Sequence, residues 1–269
     1  MLKSRLIPCI ITKGNLVVQS YNFKKYLPIG DVKTAIEFFV NWDVDEIILI
    51  DIDATIENRK PNIELIEWAA TECFVPLTVG GGIREISDIR NLLNAGADKI
   101  CINNVSISNP DFVKGSSEIF GAQCITVSID AKKINDTYMV YNYREKKILN
   151  VSVKEHAKKM ERLGAGEIFL NSVDNDGLRK GYDLQLLKSV TEILSIPVIA
   201  CGGVGRVEHL SEGILIGGCQ AASAANIFQH TEHSTIAAKS HMLKSGVKVR
   251  LSSDVKYDDF QFDRIGRPL

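Results

Sequence analysis

The residues of this chain best suited to chemistry are its paired glycines. Gly80-Gly81-Gly82 closes one short apolar run, and Gly202-Gly203 closes another at an offset of 121 residues. Main-chain N–H groups at such a strand end converge with no side chain between them and can enclose an anion such as phosphate. Asn103-Asn104, Asp176-Gly177 and Ala225-Asn226 each follow a further apolar run, where they would complete two such nests. One glycine pair alone is satisfied by a tight strand-to-helix turn. A symmetric pair instead favours two anion sites on opposite sides of one mouth, suited to a long substrate carrying a phosphate at each end.

Positioning these residues requires a regular frame, and the chain alternates short apolar β-rich runs with helical stretches, the pattern of parallel strands joined by crossover helices. Eight strands are expected: Arg5–Ile11, Glu46–Asp51, Pro76–Val79, Lys99–Asn103, Gln123–Asp130, Glu167–Asn171, Pro197–Ala200 and Gln220–Ala224. Helical stretches include Val32–Trp42, Ile63–Cys73, Ile86–Ala95, Val153–Leu163, Leu184–Ile193 and Val207–Ile216, several ending near glycine as C-caps do. Eight such units fill a barrel of about 250 residues. The expectation is a single (β/α)8 TIM barrel over residues 1–250, with a polar, acidic-aromatic tail at 251–269. Two stretches, Lys13–Phe23 and Ala131–Lys147, alternate as hairpins after the first and fifth strands. The offset of 121 also relates Glu46 to Glu167, Asp53 to Asp174, Pro76 to Pro197 and Gly96 to Gly217. Two similar half-barrels, about 1–120 and 121–250, account for it.

Composition narrows the class. With 269 residues, 45% hydrophobic and 24% charged, the chain can bury one large core. A formal charge of −1 gives no general attraction to nucleic acid or an anionic membrane, so phosphate recognition must be local. Cys9, Cys73, Cys101, Cys124, Cys201 and Cys219 are scattered with no metal-ligand spacing, and read as reduced core residues of a cytoplasmic protein with no metal site and no cofactor. Leu6 to Ile11 is too short for a signal segment, and no run approaches the ~18 apolar residues of a membrane span. The five histidines (His156, His209, His230, His233 and His241) show no ligand spacing and read as surface residues.

The motifs Thr78-Val79-Gly80-Gly81-Gly82-Ile83, Gly96-Ala97-Asp98-Lys99, Ile129-Asp130-Ala131-Lys132, Asp174-Asn175-Asp176-Gly177, Gly181-Tyr182-Asp183 and Gly202-Gly203 resemble the cyclase subunit family of imidazole glycerol phosphate synthase. The likeness runs from Met1 to about Arg250. It implies a barrel that takes ammonia from a separate glutaminase docked at its N-terminal face and passes it through its centre. At the other face, a pair of carboxylates would move protons as an imidazole ring closes on a phosphorylated substrate. Asp130 matches one member of that pair. At the other position the family pattern Cys-Leu-Asp reads Cys9-Ile10-Ile11, and isoleucine carries no proton. Gln19-Ser20 stands where the family has Lys-Gly, while Asn104, Asn226 and Asn171 replace hydroxyl residues.

By the same resemblance, Arg5, Glu46, Lys99 and Glu167 match the family's ring of alternating charges that gates ammonia, and Asp98 matches a residue facing the glutaminase. Any one strand-start charge is ordinarily just solvated; four at matching places with balanced signs favour the gate. Inlet kept and outlet acid lost together suggest an ammonia-supplying subunit whose product is consumed by a third amidotransferase enzyme, as in the branch linked to amidination of sugars for surface polysaccharides. The alternatives are an active cyclase serving histidine biosynthesis and a non-catalytic phosphate-binding scaffold. The tail from Asp254 to Phe260 reads equally as a partner-binding segment or a poorly ordered end.

Overall fold

The structure is a computed structural model and describes residues 3–229, 235–253, 255–257 and 261. The chain opens with β1 (Arg5–Lys13), continues into β2 (Leu16–Tyr21) and β3 (Lys25–Asp31), and enters α1 (Val32–Val40). Next come β4 (Ile47–Asp51), α2 (Ile63–Glu72), β5 (Leu77–Gly80), α3 (Ile86–Asn94), β6 (Lys99–Ile102), α4 (Asn104–Ser108) and α5 (Asp111–Phe120). The second half repeats the plan with β7 (Ile125–Ile134), β8 (Thr137–Asn142), β9 (Lys147–Ser152), α6 (Val153–Arg162), β10 (Glu167–Ser172) and α7 (Leu184–Thr191). It ends with β11 (Val198–Cys201), α8 (Val207–Leu215), β12 (Ala221–Ala224) and α9 (Thr235–Lys244).

Strands β1, β4, β5, β6, β7, β10, β11 and β12 pair in that order, and β12 pairs back to β1, every contact parallel. This is a (β/α)8 barrel. By strand order β1 faces β7 across the ring. Period-two alternation decides which residues enter the lumen. Along β1, Ile7, Cys9 and Ile11 join the inner cluster, while Leu6 and Ile10 pack outward under the helices. Along β7, Ile125, Val127 and Ile129 pack outward, which turns Thr126, Ser128 and Asp130 inward. Helix α1 shows how the outer layer is held. The Asp31 side chain caps it by accepting from the Lys33 and Thr34 N–H groups, and it buries Val32, Ile36 and Phe39. Each large apolar side chain buried this way stabilises by about 1.5–3 kcal/mol.

Two expectations are corrected. The stretches read as hairpins are three-stranded extensions, because β3 pairs with β2 and β9 with β8. β3 escapes a sequence reading since it is almost wholly exposed and carries Pro28, which an edge strand tolerates. Two of the histidines are not on the surface. His156 and His209 are buried because they fall on the inner faces of α6 and α8 beside Ala157 and Leu210. Burial holds the His156 imidazole at about 4, well below its ordinary value. His230, His233 and the tail positions Asp254, Asp258, Asp259 and Phe260 lie outside the described residues. Tyr257 in the tail packs onto the barrel: its hydroxyl donates to Asp43, and its carbonyl accepts from the Ser240 hydroxyl. Among the described residues no helix is long and apolar enough to cross a membrane.

Candidate functional site

At the N-terminal end of the barrel, Arg5, Glu46, Lys99 and Glu167 close into a ring. Arg5 donates to Glu46 at 2.7 Å and to Glu167 at 2.6 Å, and Lys99 donates to the same two carboxylates at 2.9 and 3.0 Å. Thr78 adds a hydroxyl hydrogen bond to Glu46 at 2.7 Å. Burial pulls the Arg5 pKa down, but the charges of Glu167 and Glu46 outweigh it and raise the guanidinium above its ordinary value. Each cation bridges two anions, so no charge of the four is left uncompensated. Asp98 lies exposed at the same end, just before β6, and accepts from the Leu77 N–H at 2.8 Å.

Above the ring the lumen is mostly apolar, filled by Ile7, Cys9, Ile48, Cys101, Phe169 and Ile199 with Cys201 and Ala221, and the inward Thr126, Ser128 and Ser223 add three hydroxyls. Three of the scattered cysteines thus meet inside one barrel, because β1, β6 and β11 each turn one inward. Burial, first of all, pushes their thiols up, Cys201 to about 12. Reduced and uncharged, they behave as small apolar side chains. Among the described residues no group of three or more His, Cys, Asp or Glu is placed to hold a metal.

The C-terminal end opens into a cavity of about 400 Å³. Asp130 lies buried in its wall, with Asn103 Nδ2 donating to its carboxylate at 2.7 Å. Burial raises Asp130 to about 7, against the opposing Asn103 hydrogen bond and with the Asp176 charge adding to the rise. A carboxyl poised near neutrality can both give and take a proton. Ile11 lines the cavity from β1, across the ring from β7, so the facing position is hydrocarbon. Asn171, paired in register with Asp130, also lines the cavity, and its buried Oδ1 has no hydrogen-bond partner.

The glycine nests face each other, β5 and β6 against β11 and β12. The positive φ values of Gly81, Gly82, Gly202 and Gly203 have a packing cause of their own. A Cβ at these positions would lie 2.3 Å from the Asp51 carbonyl oxygen, 2.6 Å from that of Arg59, 2.6 Å from Asn171 Oδ1 and 2.2 Å from the Gly181 carbonyl oxygen, respectively. The fold therefore requires glycine at all four whether or not an anion binds, and their symmetry alone says less about a ligand than the sequence suggests.

The two ends differ in what surrounds the glycines. Beside Gly177 and Asp176 the first β-extension lies flush on the nest: Ser20 donates its hydroxyl to Asp176 at 2.6 Å, and the Phe23 N–H donates to the same carboxylate oxygen at 3.2 Å. A Cβ on Gly177 would sit 2.3 Å from the Ser20 carbonyl oxygen. Asn226, beside Ala225, spends both amide atoms on Ser20. At the other end, Gly82 donates to the Thr55 hydroxyl at 3.2 Å, and Asn104 opens α4 with its main-chain oxygen accepting from Ser108. Arg84 and Arg144, which the sequence reading passed over, line the cavity there. Over the mouth the two extensions meet, with a hydrogen bond of 3.1 Å between the Tyr26 and Tyr143 hydroxyls and Phe23 edge-on to Tyr143.

Residues 5–235 match the family model described as "Histidine biosynthesis protein". The chain belongs to that family. It is also similar to a protein of Vibrio vulnificus (strain YJ016) described as "Putative imidazole glycerol phosphate synthase subunit hisF2", with 63% identity over 268 residues, covering 100% of this chain and 98% of the relative. Family membership, the eight-stranded ring and a buried Asp130 across from Ile11 together describe a barrel of the imidazole glycerol phosphate synthase type.

Proposed function

We propose that this barrel is the ammonia-conducting subunit of a glutamine amidotransferase whose ammonia leaves for another enzyme. A glutaminase docks on the N-terminal face, around Asp98 and the four-charge ring. Ammonia enters where Arg5, Glu46, Lys99 and Glu167 close the floor, and crosses the mostly apolar lumen as the neutral molecule. Walls of hydrocarbon, thiol and neutral hydroxyl groups admit uncharged ammonia and repel ammonium, since burying an unpaired cation is costly. The cavity then binds a phosphorylated small molecule, and a third enzyme consumes the ammonia to amidinate a sugar for surface polysaccharide.

One observation carries the reading: Ile11 stands across the cavity from Asp130, so a ring closure needing two proton-moving groups has one. Of the other acids lining the cavity, Asp51 is held by Arg59 at 3.0 Å and Asp176 by Ser20. A second reading, an active cyclase forming imidazole glycerol phosphate in histidine biosynthesis, is favoured by the family itself and by an Asp130 carboxyl poised near neutrality. Turnover of the bisphosphorylated aminoimidazole ribotide, with ammonium salt or a glutaminase, separates the two. The expected result is no imidazole glycerol phosphate from the natural chain, measurable turnover from Ile11→Asp, and stimulated glutamine hydrolysis by the partner. Turnover by the natural chain on the order of one per second or more establishes the cyclase instead. A chain that stimulates no glutaminase is the scaffold.

A further inference from the structure

Behind Asp130 a row of buried polar groups runs from the cavity wall out to the helical layer. Asn103, where the chain passes from β6 into α4, is held from two sides. Its side-chain amide donates to Asp130 at 2.7 Å and to the Ser128 hydroxyl at 3.4 Å. Its main-chain carbonyl accepts from Ser106, from the N–H at 2.9 Å and from the hydroxyl at 2.6 Å. Ser106 is fully buried, and its hydroxyl oxygen lies 3.4 Å from Nε2 of His156 on α6. A hydroxyl has one hydrogen, and that of Ser106 is committed to Asn103, so toward His156 it accepts. The imidazole is therefore the neutral tautomer with its hydrogen on Nε2. Burial first, and the Lys159 charge second, keep it neutral down to about pH 4.

Ser106 belongs to the unit that follows β6 and His156 to the helix that follows β7, so the row joins neighbouring βα units behind Asp130. Across the ring, behind Ile11, helix α1 follows the first extension. Its fourth residue, where α6 has His156, is Ala35, and its Phe39 packs edge-on against Phe228. Polar groups back the position that keeps its acid, and hydrocarbon backs the position without one.

We propose that His156 and Ser106 are positioning residues, which hold Asn103 from outside the cavity wall where its amide meets Asp130. Neither lines the cavity itself. An amide N–H favours the ionised carboxylate, so an Asn103 left free to turn away lets Asp130 keep its proton to higher pH. Asp176, whose charge also acts on Asp130, is held separately by Ser20 and Phe23. The inference rests on the reading of Asp130 as the cavity's proton-carrying group and is independent of ammonia passage.

Carboxyl carbon chemical shifts of the full chain, followed against pH, test it through the midpoint of Asp130. Asn103→Ala is expected to raise that midpoint by about one pH unit, the loss of a hydrogen bond to a charged group. Ser106→Ala and His156→Leu should each raise it by about half a pH unit. The double variant should go no further than either alone, because the same row is broken in all three. His156→Gln, which returns an N–H near the place of Nε2, should recover most of the change. Ser106→Ala removes only an oxygen and keeps the fold, so the measurement does not depend on the larger change at His156. A part in packing alone would lower stability to urea and leave the Asp130 midpoint within about 0.2 pH unit of the natural chain; that outcome overturns the proposal, and so do Ser106 and His156 effects that simply add. A midpoint near 4 in the natural chain removes the reading of Asp130 as a group poised near neutrality, whereas the positioning role is judged on the differences among variants and fails only with them.

Discussion

Ser20 and Asn226 lie 206 positions apart, yet the Asn226 amide pairs with both main-chain atoms of Ser20, donating to its carbonyl at 2.9 Å and accepting from its N–H at 3.3 Å. The tie joins the first β-extension to the loop after the eighth barrel strand. Only main-chain atoms of Ser20 take part, so the tie depends on the residue type at position 226 and not at position 20.

Cutting this tie should loosen the extension without unfolding the barrel. Asn226→Ala leaves the Ser20 N–H and C=O without partners, at a cost of about 1–3 kcal/mol in local opening. Amide exchange over residues 20–23 is expected to quicken about tenfold or more. Unchanged exchange there would mean that Asp176 alone holds the segment.

Gly177 offers a steric version of the same test. At φ +72° with the Ser20 carbonyl in the way, Gly177→Ala must displace the extension as well as strain its own backbone. Gly14→Ala, at φ +56° in open space, carries backbone strain alone, about 1 kcal/mol. Urea unfolding should rank Gly177→Ala clearly below Gly14→Ala; equal losses would refute the packing account.

The floor ring should be costly to break from one side. Glu46 has a side chain only 2% exposed and accepts from Arg5, Lys99 and Thr78. Glu46→Gln leaves two cations sharing Glu167, and a loss of about 3–5 kcal/mol is expected by chemical denaturation. A change under about 1 kcal/mol would show a ring well hydrated in solution.

Two buried groups give opposite pH slopes. Asp130 has a folded-state value near 7, above that of an unfolded aspartate, so the native state holds the extra proton. Its contribution is present below about pH 4 and is lost as pH rises through 7. His156 is depressed to about 4, so its contribution is present above about 6.5 and is lost as pH falls toward 4. Asp130→Asn should flatten the alkaline side of the stability profile, by up to about 4 kcal/mol at pH 8. Carboxyl carbon chemical shifts read Asp130 directly, and a midpoint near 4 would contradict the burial argument.

Much of the barrel is legible in the chain because burial imposes period. Ile47–Asp51, Val198–Cys201 and their neighbours are short apolar runs bounded by turn residues, and helices such as α1 announce themselves by spacing and an N-cap aspartate. β3 is illegible for the converse reason: an exposed edge strand buries little and leaves no pattern. The histidines mislead because a helix position looks polar in sequence, while only packing decides that His156 and His209 face inward.

By itself the sequence determined the order of the eight barrel strands, the four strand-start charges and the absence of an acid at Ile11, since each is a matter of residue type at a local period. Tertiary structure decided everything that depends on distance between remote positions. It closed Arg5, Glu46, Lys99 and Glu167 into one network, gathered Cys9, Cys101 and Cys201 into one lumen, and set Arg84 beside Arg144. It also turned Asn226 from an open donor into a clasp on Ser20. The physical reason is that a hydrogen bond or ion pair needs atoms within about 3 Å, and that proximity is set by the curvature and closure of the sheet, which no stretch of sequence carries alone.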